Sequence, residues 1–166
     1  MKFGDFFESM DRAGVDYVLV GGLAVSLQGA IRGTLDVDVV LAMTDENLGR
    51  FIGAAGIMGL APSLPVPIQS LADSAQIDRW FSEKNMLAFS LRESAPAGLV
   101  VDVLVRPSVP FAELRSAAVT KTFGDVRIPV ASVAHLIALK TGTGRSIDAL
   151  DIEQLRRLHG SNPSKS

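Results

Sequence analysis

Apolar and polar positions follow two rhythms along this chain. From Lys2 to Ala13, Phe3, Phe6, Phe7 and Met10 recur at helical spacing and Gly14 follows as a helix stop. "DYVLVGG" is an apolar run entering a glycine turn, which predicts a buried strand. "LAVSLQGA" then predicts a short helix and "LDVDVVLAM" a second strand. "TDENLGRFIGAAGIMGL" predicts a helix with Thr44 as N-cap and acids in its first turn. Three prolines between Ala61 and Pro67 argue against regular structure there, and Ser70 with Asp73 predicts a capping box that opens a helix through Phe81.

The second half reads differently. "NMLAFSLRE" and "GLVVDVLV" are strand-like and joined by a short Ser/Pro/Gly stretch, which predicts a hairpin and therefore a mixed sheet. "FAELRSAAV" predicts a helix, "KTFGDVRIPV" a Gly-Asp turn, and "SVAHLIALK" and "SIDALDIEQLRRL" two helices separated by "TGTGR". The expected fold class is α/β (α+β): a mixed β-sheet with flanking helices, the C-terminal pair packed on the core. One domain over residues 1–160 is expected, with a frayed tail over 161–166.

Composition narrows the chemistry. A chain of 166 residues suits one core and one site, and 16 Lys+Arg against 18 Asp+Glu leave no global field to attract a polyanion. Cysteine is absent, which removes thiolate nucleophiles and thiolate-bound zinc, so a metal site here would be built from oxygen. No apolar run approaches the length of a membrane span, and the start carries acids where a secretory signal needs an apolar core. The expectation is a soluble, cytoplasmic protein with no membrane partner.

Two aspartates interrupt the second strand. Asp36 and Asp38 share one face about 6.6 Å apart along the strand, with Val37, Val39 and Leu41 on the other and only Arg32 and Thr34 as polar company. Two carboxylates this close repel unless a cation or donors compensate them, and a divalent ion such as Mg²⁺ does so economically. Asp102 in "LVVDVLV" is a third acid in a buried-type run; beside the Asp36 strand it would complete a set able to hold two metals for phosphoryl transfer. Gly21 and Gly22 allow backbone N–H groups to approach a phosphate, with a helix start behind them. Arg32 and Thr34 are candidates to touch phosphate or orient Asp36.

With these residues in view, the chain resembles the nucleotidyltransferase fold of the polymerase-beta type, and its small prokaryotic branch similar to AbiEii-type toxins. The resemblance rests on the glycine pair, "RGTLDVDVVL", the later "VDVLV" and the C-terminal "IPVASVAHLIALKTGTGRSIDALDIEQL". It implies transfer of a nucleoside monophosphate from an NTP with Mg²⁺ or Mn²⁺. The acceptor implied is RNA, for example tRNA, or a protein, and a toxin–antitoxin role would bring a cognate antitoxin. Asp36 and Asp38 match the metal-binding pair, Asp102 the carboxylate serving the acceptor hydroxyl, and Gly21 and Gly22 the phosphate turn. Lys140 matches a lysine that contacts the nucleotide phosphates, and Arg145, Asp148 and Asp151 a supporting network. The wider superfamily often has Gly-Ser where this chain has Gly-Gly.

Plainer explanations stand beside these. Lys140 at a helix C-terminus complements the helix dipole, and Asp148, two residues after Ser146 as N-cap, suits a first helical turn. "TGTGRS" lacks the early glycine and the lysine of a phosphate loop. His135 and Trp80 read as packing residues. Two other functions use similar features: a metal-dependent glycosyltransferase, which also employs Asp-x-Asp but usually in a longer chain, and a catalytically silent nucleotide- or partner-binding module of the same fold.

Overall fold

The computed structural model describes residues 1–160; the predicted tail lies outside them. Helix α1 (Phe3–Arg12) turns Phe6, Phe7 and Met10 into the core, and Gly14, at φ 66°, reverses the chain into β1 (Tyr17–Val20). Helix α2 (Gly21–Leu27) leads to β2 (Asp36–Leu41). Helix α3 (Asp45–Ile57) opens on Thr44, whose hydroxyl accepts from the Asn47 N–H, and β3 (Leu60–Pro62) follows it. Helix α4 (Ser74–Lys84) precedes the hairpin β4 (Ala88–Glu93) and β5 (Val100–Leu104). Then come α5 (Phe111–Ser116), the hairpin β6 (Val119–Phe123) and β7 (Val126–Val130), α6 (Val133–Lys140) and α7 (Ser146–Gly160).

Among the described residues, all seven strands form one sheet in the order β3-β4-β5-β2-β1-β7-β6. It is mixed as expected: β2 runs parallel to β5 and β1 to β7, and every other neighbouring pair is antiparallel. Alternation along the strands divides the two faces. Val37, Val39, Leu41, Phe89, Leu91, Val101 and Val103 are buried together in the core. The other face of β4, β5 and β2 presents Ser90, Arg92, Val100, Asp102, Asp36 and Asp38, none of them fully buried. Helix α2 packs on β1 and β2, α6 packs on α2, and α7 on α6, so the C-terminal helices reach the sheet through α2.

Three local expectations are corrected. The helix predicted from Ser70 starts at Ser74, because Asp73 is the cap: it is extended and accepts from the Gln76 N–H, while Ile68–Ala72 is a separate 3₁₀ turn. The proline-rich segment begins with a strand, β3, tolerated because it lies at the sheet edge where a missing N–H breaks no ladder. The Gly-Asp turn is present as expected and forms the tip of a full hairpin. Ser146 is the first helical residue of α7 and not its cap, since the N–H groups of Asp148 and Ala149 bond to the Arg145 carbonyl.

Candidate active site

Register places the three acids. Asp38 on β2 is the direct partner of Asp102 on β5, and Asp36, two residues earlier, is the partner of Val100. Neighbouring strands lie about 4.8 Å apart, so Asp38 and Asp102 stand side by side on one face with Asp36 one row away. On the far side of Asp102, Ser90 of β4 is its register partner, and the Ser90 hydroxyl donates to Asp102 Oδ1.

Asp38 carries the strain of this arrangement. Its carboxyl is pushed from 3.8 up to about 6, first by burial and then by the charges of Asp102 and Asp36, against the opposing pull of Lys140 and a hydrogen bond from the Gly22 N–H. The glycine pair explains how the chain gets this close. Gly21 has φ 69° and a Cβ there would lie 2.0 Å from Asp38 Oδ2, so the carboxylate occupies the space a side chain would need. The glycines are the first residues of α2, not a turn ahead of it, and the backbone they expose is turned toward Asp38.

The loop before β2 folds back over the same point. A Cβ on Gly22 would come within 3.3 Å of Thr34 Oγ1 and 3.5 Å of Arg32 Nη2, so both side chains lie against this glycine. Thr34 Oγ1 accepts from the Asp36 N–H at 3.4 Å. Ser26 donates to the Arg32 carbonyl at 2.5 Å, and Gln154 of α7 bonds both the N–H and the carbonyl of Ile31. The loop is therefore fastened at its base to α2 and to α7.

Lys140, Asp148 and Asp151 form a second charged group behind the loop. Lys140 Nζ lies 2.9 Å from Asp148 Oδ1 and 2.9 Å from Asp151 Oδ2, and all three residues are buried. Arg32 Nε lies 3.3 Å from Asp151 Oδ1, and Arg145 Nε 2.6 Å from Asp148 Oδ2. Burial works to raise the Asp148 carboxyl, yet hydrogen bonds from Thr143, Lys140 and Arg145 outweigh it and hold the group at about 2. The ammonium expected to meet phosphate is thus engaged by two aspartates; its effect on Asp38 is through space. One chain of ion pairs runs Arg145–Asp148–Lys140–Asp151–Arg32 and ends against Gly22.

The donor set fits a hard divalent cation. Asp36, Asp38 and Asp102 offer only oxygens, and a cation would offset the burial and the repulsion that hold Asp38 toward its protonated form. The three meet as adjacent positions on a sheet face and not as a closed cage: among the described residues no three acidic or histidine side chains are already gathered closely enough to hold a metal.

Sequence reasoning missed Ser90 and Gln154. Ser90 had a signal, because Ser90 and Arg92 alternate with Phe89 and Leu91 in "AFSLRE" and so belong to the polar face of the strand paired with "VVDVL". Gln154 had none, since its partner is 123 residues away in the chain.

No protein-family model matches the chain, and no curated protein matches it in sequence. Solved structures do match in shape. A lincosamide antibiotic adenylyltransferase, LnuA with lincomycin bound, aligns over 95% of this chain and 98% of its own, with a TM-score of 0.58 and 14% identity. The antibiotic-resistance factor ANT(2'')-Ia aligns over 95% and 80%, with a TM-score of 0.56 and 12% identity. An antigenic nucleotidyltransferase-like protein from Paracoccidioides brasiliensis aligns over 96% and 74%, with a TM-score of 0.54 and 15% identity. The fold is nucleotidyltransferase-like.

Proposed function

We propose that the protein transfers a nucleoside monophosphate from an NTP to a hydroxyl acceptor and releases pyrophosphate. The observation that carries this reading is the Asp38–Asp102 register pair with Asp36 on the same face, packed against a glycine pair that leaves no side chain between Asp38 and the start of α2. The fold shared with adenylyltransferases supports it.

In this reading the acceptor oxygen attacks the α-phosphorus, the bond to the bridging oxygen breaks, and pyrophosphate leaves. Asp102 takes the acceptor's proton, and Ser90, by donating to Oδ1, sets which carboxylate oxygen is free to receive it. Asp36 and Asp38, with Asp102, would hold Mg²⁺ or Mn²⁺, which supplies neutralising charge to the departing phosphates. Gly21 and Gly22 give the triphosphate access, Thr34 and Arg32 stand beside Gly22 to contact it, and the Lys140–Asp148–Asp151 group, extended by Arg145, keeps Arg32 in place.

The acceptor is read first as a small hydroxylated molecule, by analogy with neighbours described with lincomycin or adenylyl-2''-tobramycin bound. Placement in the AbiEii-like branch is supported by "RGTLDVDVVL" and the C-terminal block, and would favour an RNA or protein acceptor with a cognate antitoxin. Incubation with α-labelled NTPs, Mg²⁺ and separate pools of small metabolites, RNA and protein decides among them. Label should move to one pool and be lost in Asp38→Asn. NTP binding with no transfer to any pool would identify a silent module, and label entering only from a sugar nucleotide would identify a glycosyltransferase.

A further inference from the structure

The row of residues next to the Asp38–Asp102 pair borders a hollow. Arg92, Val100 and Asp36 are register partners across β4, β5 and β2, so they point from the same face as Ser90, Asp102 and Asp38. Two strand spacings separate Arg92 from Asp36, about 10 Å between backbones. Above this row lies a cavity of about 490 Å³, walled by Leu35, by Met1 to Phe3 and by the β4–β5 connection through Ala95, Ala97, Gly98 and Leu99. That volume falls within the range of small-ligand pockets.

The connection is tightly turned. Ala97 sits at φ 56°, a conformation rare for a residue with a side chain, and a Cβ on Gly98 would come 2.8 Å from Glu93 Cβ and 2.9 Å from the Ala95 carbonyl. Glu93 is engaged, accepting from the Leu99 N–H at 3.2 Å and from the Met1 nitrogen at 2.9 Å. Arg92 is exposed and, like the Lys2 ammonium, has no ion-pair partner among the described residues. The hollow is therefore lined by one carboxylate, Asp36, and by two cations, Arg92 and Lys2, that have no ion-pair partner among the described residues.

We infer that this hollow is the acceptor seat, and that Arg92 selects a small acceptor carrying an anionic group, carboxylate or phosphate, at the end remote from its reacting hydroxyl. The inference rests on the transfer reading above for its chemistry, but the binding preference is a property of the pocket alone. A guanidinium offers a forked donor to either anion, and no other acid in the hollow competes for it. Lys2 and Arg92 outnumber Asp36 among the side chains that line the hollow, which disfavours polyamine acceptors.

The test titrates glycerol 3-phosphate, glycerate, glycerol and spermidine into Mg²⁺-loaded protein and follows the backbone amide NMR signals of Gly98, Leu99 and Val100. One or both anions should saturate these shifts at least tenfold more tightly than glycerol or spermidine, the pair distinguishing phosphate from carboxylate. Arg92→Gln should reduce the preference to within about twofold of glycerol, and Arg92→Lys should retain part of it; because Arg92 is exposed, both variants should keep the wild-type melting temperature. MgATP added to saturation should leave the anion bound. Equal binding of anion and glycerol, tighter binding of spermidine, an unchanged preference in Arg92→Gln, or displacement of the anion by MgATP would each overturn the inference. If wild-type protein binds the anion but not MgATP, the transfer reading fails and the anion pocket stands.

Discussion

Asp38 and Asp102 are side-by-side partners on two parallel strands whose sequences lie more than sixty positions apart. Their proximity, with burial as the larger influence, raises the Asp38 carboxyl to about 6. A raised acid binds its proton more tightly in the folded than in the unfolded state, so stability falls as pH rises from about 4 through about 6 and stays reduced above. Asp38→Asn should therefore be more stable than wild type at pH 7.5, by at most about 3 kcal/mol at 1.36 kcal/mol per pH unit, and should lose that advantage at pH 4. Urea unfolding at the two pH values measures both quantities.

Gly21 is indispensable to this geometry. Gly21→Ala places a methyl group where Asp38 Oδ2 lies, in a left-handed conformation that by itself costs about 1–2 kcal/mol. Transfer activity should fall at least a hundredfold, and denaturant unfolding should show a loss of more than about 1 kcal/mol.

Lys140 joins two buried aspartates, so its removal strands both. Lys140→Met should destabilise the protein by roughly 3–5 kcal/mol in urea titrations. Asp148, held at about 2, gives stability that is fully present above about pH 4 and is lost as pH falls toward 2. An acid titration followed by circular dichroism should show that loss in wild type. In Asp148→Asn, which no longer titrates, the slope of stability over the same window should be shallower.

On the proposed mechanism, Ser90 acts on the reaction through Asp102. Ser90→Ala removes the donor that orients Asp102, so kcat should fall by roughly tenfold or more while nucleotide KM changes by less than about twofold. A structural role alone would instead lower the melting temperature and disturb kcat and KM together.

Much of this site could be read from the chain because its signals are local. Alternation in "LDVDVVL" fixes which face Asp36 and Asp38 share, and a glycine pair after an apolar strand marks a place of close backbone approach. Thr44 capped the predicted helix because its hydroxyl bonds only three residues ahead. Pairing between distant segments was less accessible. "VVDVL" gave a strand, but the register that sets Asp102 beside Asp38 depends on how the whole sheet assembles. Lys140 shows the other limit: a lysine at a helix end reads alike whether it meets phosphate, solvent or two buried aspartates, and only the packing of α7 on α6 brings Asp148 and Asp151 to it. Pro62 joined a strand against local preference because the strand order put it at an edge.

The proposed chemistry requires the acids of β2 and β5 to act as one cation site. Mn²⁺ binding followed by electron paramagnetic resonance, in wild type, Asp38→Asn and Asp102→Asn, addresses it directly. Wild-type affinity should rise about tenfold per pH unit up to pH 6 and level off above, as Asp38 gives up its proton, and each variant should bind at least tenfold more weakly at pH 7.5. Equal affinity in all three proteins, or no dependence on pH between 5 and 7, would contradict it.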